Sequence, residues 1–351
     1  MLKVEINKLD TGEVEIKGEI PTDIFMSYWT KTVAKLNEQV KIDGFRSGHI
    51  PEKVLIEKVG EDKVLVEMAD TALSSSYNQI LIDNKINAIG HPQVSITKLA
   101  KDNPLGFTIT TAVIPDIKLP DYKKLASETV AKAEKPTETT DKEVDDVVEE
   151  LRKQRAMSLE ENKDLKPEEK DNLVLPELND SFVKTLGDFE SVDDLKKKIK
   201  SNLDSEKEYK NKEKTRLQIM DAIADKVEVT IPQILVDNEL NKMAQELEYE
   251  VSRMGLKFED YLTHLKKTAD ELKASWKDDA TKRVKLGLII NTIIEDAKLE
   301  ATPEELEKEI SHFMSHLGEQ KPETVDLARL RAYAENTILH NKVFSLLEST
   351  K

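Results

Sequence analysis

At 351 residues the chain is long enough for two or three domains, and 38% hydrophobic residues supply material for their cores. Charged residues make up 35% and aromatics 5%, the bias of long solvent-exposed helices, while a net charge of −16 argues against a general nucleic-acid binder, whose phosphate contacts need concentrated Lys and Arg. With no Cys, a disulfide framework, a thiolate metal site and a cysteine nucleophile are all excluded.

Leu2, Val4 and Ile6, then Val14, Ile16 and Ile20, alternate with mostly polar residues around Asp10-Thr11-Gly12, the pattern of a β-hairpin with one buried face. Gly18 interrupts the second run and reads as a bulge. Neither an apolar signal-peptide core nor a cleavage site is seen in the first twenty residues, and no run is long enough to cross a bilayer, so a cytoplasmic protein with no membrane partner is expected. After Pro21, Thr22 or Asp23 can cap a helix running to about Val40, with Phe25, Trp29, Val33 and Leu36 on one face.

Next comes Gly44-Phe45-Arg46-Ser47-Gly48-His49-Ile50-Pro51. Gly44 and Gly48 permit the positive φ of a tight exposed turn, and Pro51 can open the following helix. Phe45 and Arg46 at the apex are residue types that anchor protein interfaces. The alternative is an ordinary interhelical turn whose Phe folds back into the core.

A helix starts near Pro51, and a longer one runs from about Glu61 to Asn87 with Val64, Met68, Leu73, Tyr77 and Ile80 along it. Strands at Val94–Leu99 and Phe107–Ile114, separated by Asp102-Asn103-Pro104-Leu105-Gly106, complete an α+β domain over residues 1–114. Residues 115–140, with Pro115, Pro120 and Pro136, read as an extended linker.

Beyond it the pattern is almost all helical: about Asp141 to Met157, then Val192 to Val227 with Leu195, Ile199, Leu203, Tyr209, Leu217, Met220 and Ile223 as its stripe. Pro232 opens another helix ending near Met254-Gly255. Phe258 to Lys298 reads as two helices or one bent one, most buried around Leu286, Leu288, Ile289, Ile290, Ile293 and Ile294. Thr302-Pro303-Glu304-Glu305 starts a helix to about Leu317, Gly318 to Pro322 breaks it, and the last helix spans Leu327 to Glu348. Antiparallel pairs meeting at Gly255 and Gly318 would project as two arms of an elongated all-α domain over residues 141–351.

The run Gly-Phe-Arg-x-Gly-x-x-Pro, followed by Val54-Leu55-Ile56 and Gly60, resembles the ribosome-docking signature of the trigger factor family of bacterial chaperones. Thr140-Asp141, Val144-Asp145 and Leu151-Arg152-Lys153-Gln154 resemble the family's helix before its isomerase domain, and Leu175-Pro176-Glu177-Leu178-Asn179-Asp180-Ser181-Phe182-Val183 resembles the resumption after it. The resemblance implies docking through Gly44, Phe45, Arg46, Gly48, His49 and Pro51 at the exit tunnel of the large ribosomal subunit, with nascent and unfolded polypeptides as clients. His49 stands where the family usually carries Lys.

An FKBP-like prolyl isomerase is inserted at this point in the family and would need on the order of 100 residues. Ser158 to Val174 is polar and far shorter, so that domain is expected to be missing. A prolyl isomerase with an unrecognised site, a periplasmic-type helical chaperone and a plain helical scaffold are the competing readings.

Residues 1–114 hold 13 Lys/Arg and 16 Asp/Glu, so most of the negative charge falls on the helical part, which should be kept off RNA. Docking is therefore expected to use a protein surface, with Arg46 paired to a carboxylate, and free nucleic acid is not an expected partner.

No phosphate-binding Gly motif occurs, so no cofactor is expected and chaperoning should be ATP-independent. His312 and His316 have a metal-compatible i, i+4 spacing, but no catalytic Glu follows His312 and no third ligand is evident, so no metal or catalytic residue is assigned. Met254, Leu256, Phe258 and Tyr261 at one arm turn, and Phe313, Met314 and Leu317 at the other, read either as packing that closes each hairpin or as client contacts. Whether the chain forms a homodimer is left open.

Overall fold

In the computed structural model, residues 3–158, 174–316 and 326–349 are described. They form an α+β N-terminal part followed by an all-helical remainder, and by their contacts they group into two units: Met1–Lys118 with Val227–Ile293, and Leu119–Lys226 with Ile294–Lys351.

The first unit holds the sheet, β1 (Val4–Lys8), β2 (Glu13–Ile20), β3 (Ala88–Lys98) and β4 (Leu105–Val113), antiparallel throughout in the order β1-β2-β4-β3. Alternation puts Val14, Ile16 and Ile20 on one face beside Leu105, Phe107 and Ile109. They are buried against Phe25 of α1 (Thr22–Ser27) and Leu65, Met68, Ala72 and Leu73 of α4 (Glu61–Asp83). Each of these side chains larger than Ala72 contributes roughly 1.5–3 kcal/mol by leaving water.

Gly18 is not a bulge. It pairs in regular register with Val4 on one side and Phe107 on the other, and a Cβ there would lie 2.8 Å from the Phe107 ring and 2.8 Å from a Val4 methyl. The glycine leaves room for the Phe107 ring to lie across the sheet. The register shifts occur on β3 instead, between Ile89 and Gln93 and between Ile96 and Lys98.

The single helix expected from Thr22 to Val40 is two, α1 and α2 (Trp29–Gln39), because the Tyr28 N–H bonds back to the Phe25 carbonyl in a tighter turn. With α3 (Glu52–Val59) and the start of α4, α2 builds a second apolar cluster of Val33, Leu36, Ile50, Leu55 and Val64. Also in this unit are α9 (Gln233–Arg253), α10 (Phe258–Leu265), α11 (Ala269–Ser275) and most of α12 (Lys277–Asp296), so between Phe258 and Lys298 three helices, α10 to α12, stand where one bent helix or two were expected. Val236, Leu240 and Ala280 form their core, with Trp276 against it. Gly12 and Gly90, both at positive φ, let Pro232 and Ile234 approach the sheet where a Cβ would collide with them.

Residues 115–140, which enter the second unit at Leu119, carry a helix there, α5 (Tyr122–Lys132), in place of an extended linker. The prolines bracket the helix and none lies within it; Asp121 caps it by accepting from the Lys124 N–H at 3.1 Å, and Tyr122 and Ala126 are buried. α6 (Asp141–Met157) and α7 (Asp180–Val183) pack on α8 (Val192–Ala224) through Val144, Val148, Phe182, Val183, Leu195 and Ile199. α13 (Pro303–His316) pairs with α14 (Leu327–Ser349) through Leu306, Ala334 and Ile338. Tyr209 and Leu217, expected in the buried stripe of α8, are exposed. Most of the Ser158–Val174 bridge, Leu317 and the expected break from Gly318 to Pro322 lie outside the described residues.

Candidate functional site

The stretch between α2 and α3 is a short loop held at its base and open at its apex. Gly44 and Gly48 adopt φ of +88° and +82°, with open space where a Cβ would be, so backbone conformation alone calls for glycine at both. The Phe45 N–H bonds to the Ile42 carbonyl at 3.1 Å, and the His49 N–H to the Arg46 carbonyl at 2.9 Å, which closes the apex as a turn. Pro51 caps α3, its carbonyl accepting from the Leu55 N–H.

Phe45 is 42% exposed, and Arg46 and His49 are exposed beside it. Phe45 therefore does not fold back into the core. Among the described residues no carboxylate forms an ion pair with Arg46.

The base of the loop rests on residues that motif reading passed over. Ile50 is 3% exposed and sits in the apolar cluster with Val33, Leu36 and Leu55. Asn37 accepts the Gly48 N–H on its backbone carbonyl at 2.9 Å. Its side-chain amide then donates to the Ile50 carbonyl and accepts the Ile50 N–H at 3.0 Å. Asn near a helix end, just ahead of a Gly-bracketed turn, is the signal that could have found it, because its amide competes for local backbone groups.

Trp29 stiffens the same platform. Its Nε1 donates to Glu52 at 2.8 Å, at the first turn of α3, while the Lys101 ammonium lies 4.7 Å from its ring centre and pairs with Glu61 at 2.7 Å.

The residues expected at the arm turns divide into two kinds. After α9 the Gly255 and Leu256 N–H groups bond to the Ser252 and Val251 carbonyls, with Gly255 at φ +77°, a Schellman closure. That geometry leaves Met254 71% and Leu256 53% exposed. Phe258 and Tyr261 are half-buried and stack with ring centres 6.4 Å apart. Leu265 and Tyr249, not singled out in the sequence, are exposed as well.

At the other pair, Phe313 packs against Leu306, Ala334 and Ile338 and lies 5.1 Å from the Tyr333 ring. Met314 is half-buried, and Leu317 lies outside the described residues. Among the described residues there is no group of three or more His, Asp or Glu arranged to hold a metal, and no helix long and apolar enough to cross a membrane.

Comparison with known proteins gives concordant matches. The family described as "Bacterial trigger factor protein (TF)" matches residues 2–151, and its C-terminal counterpart, "Bacterial trigger factor protein (TF) C-terminus", matches residues 191–348. The interval between them, which contains the Ser158–Val174 bridge, falls in neither. Trigger factor of Bacillus cereus (strain Q1) is 25% identical over 363 residues, covering 81% of this chain and 84% of the relative. Trigger factor of Halothermothrix orenii is 24% identical over 403 residues, covering 92% of each. That alignment is longer than the 351 residues of this chain, so part of the relative has no counterpart here. A solved structure described under "Promiscuous Substrate Recognition in Folding and Assembly Activities of the Trigger Factor Chaperone" aligns with a TM-score of 0.59 at 20% identity, covering 99% of this chain and all of that one.

Proposed function

The chain belongs to the trigger factor family, and from that premise we propose that it is an ATP-independent chaperone that docks at the ribosomal exit and holds emerging or unfolded polypeptides. What supports the reading is the Gly44–Pro51 loop, where Phe45 and Arg46 are presented at an exposed apex while Ile50 and Asn37 hold the base. A half-exposed aromatic beside a guanidinium that has no ion pair among the described residues suits a protein surface bearing a carboxylate and an apolar recess. Docking belongs to residues 1–114 and client holding to the helical residues, and the protein acts in the cytoplasm.

Client contact is assigned first to Met254, Leu256, Phe258 and Tyr261. Exposed Met254 and Leu256 beside the half-buried rings of Phe258 and Tyr261 suit weak, adaptable contacts, which a client releases as it buries its own apolar groups. The strongly acidic helical part favours basic clients.

Prolyl isomerase activity is not part of the proposal. Ser158–Val174 is too short for a domain of on the order of 100 residues, and the relatives carry extra sequence. Co-sedimentation with bacterial ribosomes tests the docking half of the proposal. A proline-peptide assay separates it from the enzymatic reading, because uncatalysed isomerisation takes roughly tens of seconds and leaves a catalyst easy to see.

A further inference from the structure

We propose that Asn37 is a positioning residue of the docking tip, a role that rests on the docking reading given above. Ile50 is pulled into the core by its side chain, which takes its backbone N–H and carbonyl away from water at a point where no helix or strand partners them. A buried pair of that kind needs a donor and an acceptor in one place. The Asn37 side chain supplies both, its Nδ2 to the Ile50 carbonyl and its Oδ1 to the Ile50 N–H, while its backbone carbonyl takes the Gly48 N–H.

One residue thus fixes the loop at 48 and at 50, directly behind the apex. Asn37 itself sits on α2, which is held to α4 by the Lys35–Glu67 pair and to α3 by the Trp29–Glu52 hydrogen bond. The clamp therefore refers the apex to the rigid body of the domain.

A loop anchored at one end only samples many apex positions, and binding must then select the competent one, which lowers apparent affinity by the fraction populated. The hydrogen bonds of Asn37 run to Gly48 and Ile50 and not to Phe45 or Arg46, so its effect on binding must pass through loop geometry.

The experiment uses the full chain, purified bacterial ribosomes and four proteins: the parent, Phe45→Ala/Arg46→Ala, Asn37→Ala and Asn37→Asp. Ribosome affinity, thermal melting and amide exchange are measured for each. In Asn37→Ala, affinity is expected to fall roughly tenfold with the melting transition retained. The Ile50 amide is expected to lose protection while the β4 amides keep theirs. Asn37→Asp keeps an acceptor for the Ile50 N–H and loses the donor to its carbonyl, so it should fall between parent and Asn37→Ala; it also serves where Asn37→Ala fails to fold.

Parent-like affinity in Asn37→Ala, with the tip double variant weakened, would overturn the positioning role and leave docking intact. Loss of affinity only in step with general unfolding, with β4 amides exchanging as fast as Ile50, would overturn it equally. A tip double variant that binds like the parent would remove the docking reading itself, a result distinguishable from the other two.

Discussion

Tyr122 donates its hydroxyl to Asp296 at 2.7 Å, joining residues 174 positions apart at the start of α5 and the end of α12. Burial, and then the hydrogen bond to Asp296, push the phenol up to about 12 from its ordinary 10.0. The stretch that reads as a linker is thereby fastened into its unit.

Tyr122→Phe removes the bond and leaves the Asp296 carboxylate without that donor, so it is expected to cost about 1–2 kcal/mol in urea unfolding near neutral pH. Because the folded pKa is raised, the contribution is fully present below pH 10 and is lost as pH rises through about 12. The gap between parent and variant should narrow over that window. A gap that is constant with pH would show that the phenol does not titrate in this pairing.

A second prediction concerns acid. The Lys207 ammonium, followed by the Thr140 backbone and hydroxyl of the capping box, holds Glu143 at about 2, below its ordinary 4.5. A depressed folded pKa means stability present above about 4.5 and lost as pH falls toward about 2. Glu143→Gln should therefore lose less stability than the parent between these values, measured by denaturant unfolding at a series of pH values. Equal acid sensitivity would mean that the pair is dispersed by solvent.

The two arm turns should respond differently to the same kind of change. Met254→Ser with Leu256→Ser alters exposed side chains, so stability should move by no more than about 0.5 kcal/mol while suppression of client aggregation weakens. Phe313→Ser removes a ring packed on Leu306, Ala334, Ile338 and Tyr333 and should cost about 1–3 kcal/mol. Light scattering of an unfolding client, with circular dichroism of each variant, separates the effects. Full aggregation suppression by a folded Met254/Leu256 variant would move client holding away from the Gly255 turn.

Much of this was legible in the chain because short-range physics decides it. The capping sequence Thr302-Pro303-Glu304-Glu305 located the start of α13, and glycine chemistry located both the exposed apex and the Gly255 closure. What escaped depends on partners distant in sequence. An isolated glycine in a strand reads as a bulge until Phe107 is known to lie beside it on the neighbouring strand. Tyr209 and Leu217 keep helical spacing with buried residues of α8, yet they stand exposed among the described residues, and spacing does not report coverage. Three prolines suggest an extended chain until their positions outside the helix are weighed against the good helix formers between them. Asn37 carried a local hint in its place just ahead of the Gly-bracketed turn, but its partner Ile50, thirteen positions away across the loop, is given only by the fold.

The central claim is that the Gly44–Pro51 loop is a docking element, and ribosome co-sedimentation of the full chain tests it most directly. The parent should pellet with bacterial ribosomes, while Phe45→Ala/Arg46→Ala, with unchanged circular dichroism and melting, should lose about 2 kcal/mol or more of binding, roughly thirtyfold in affinity. A folded double variant that pellets as fully as the parent would contradict the account and leave the loop as an ordinary turn between α2 and α3.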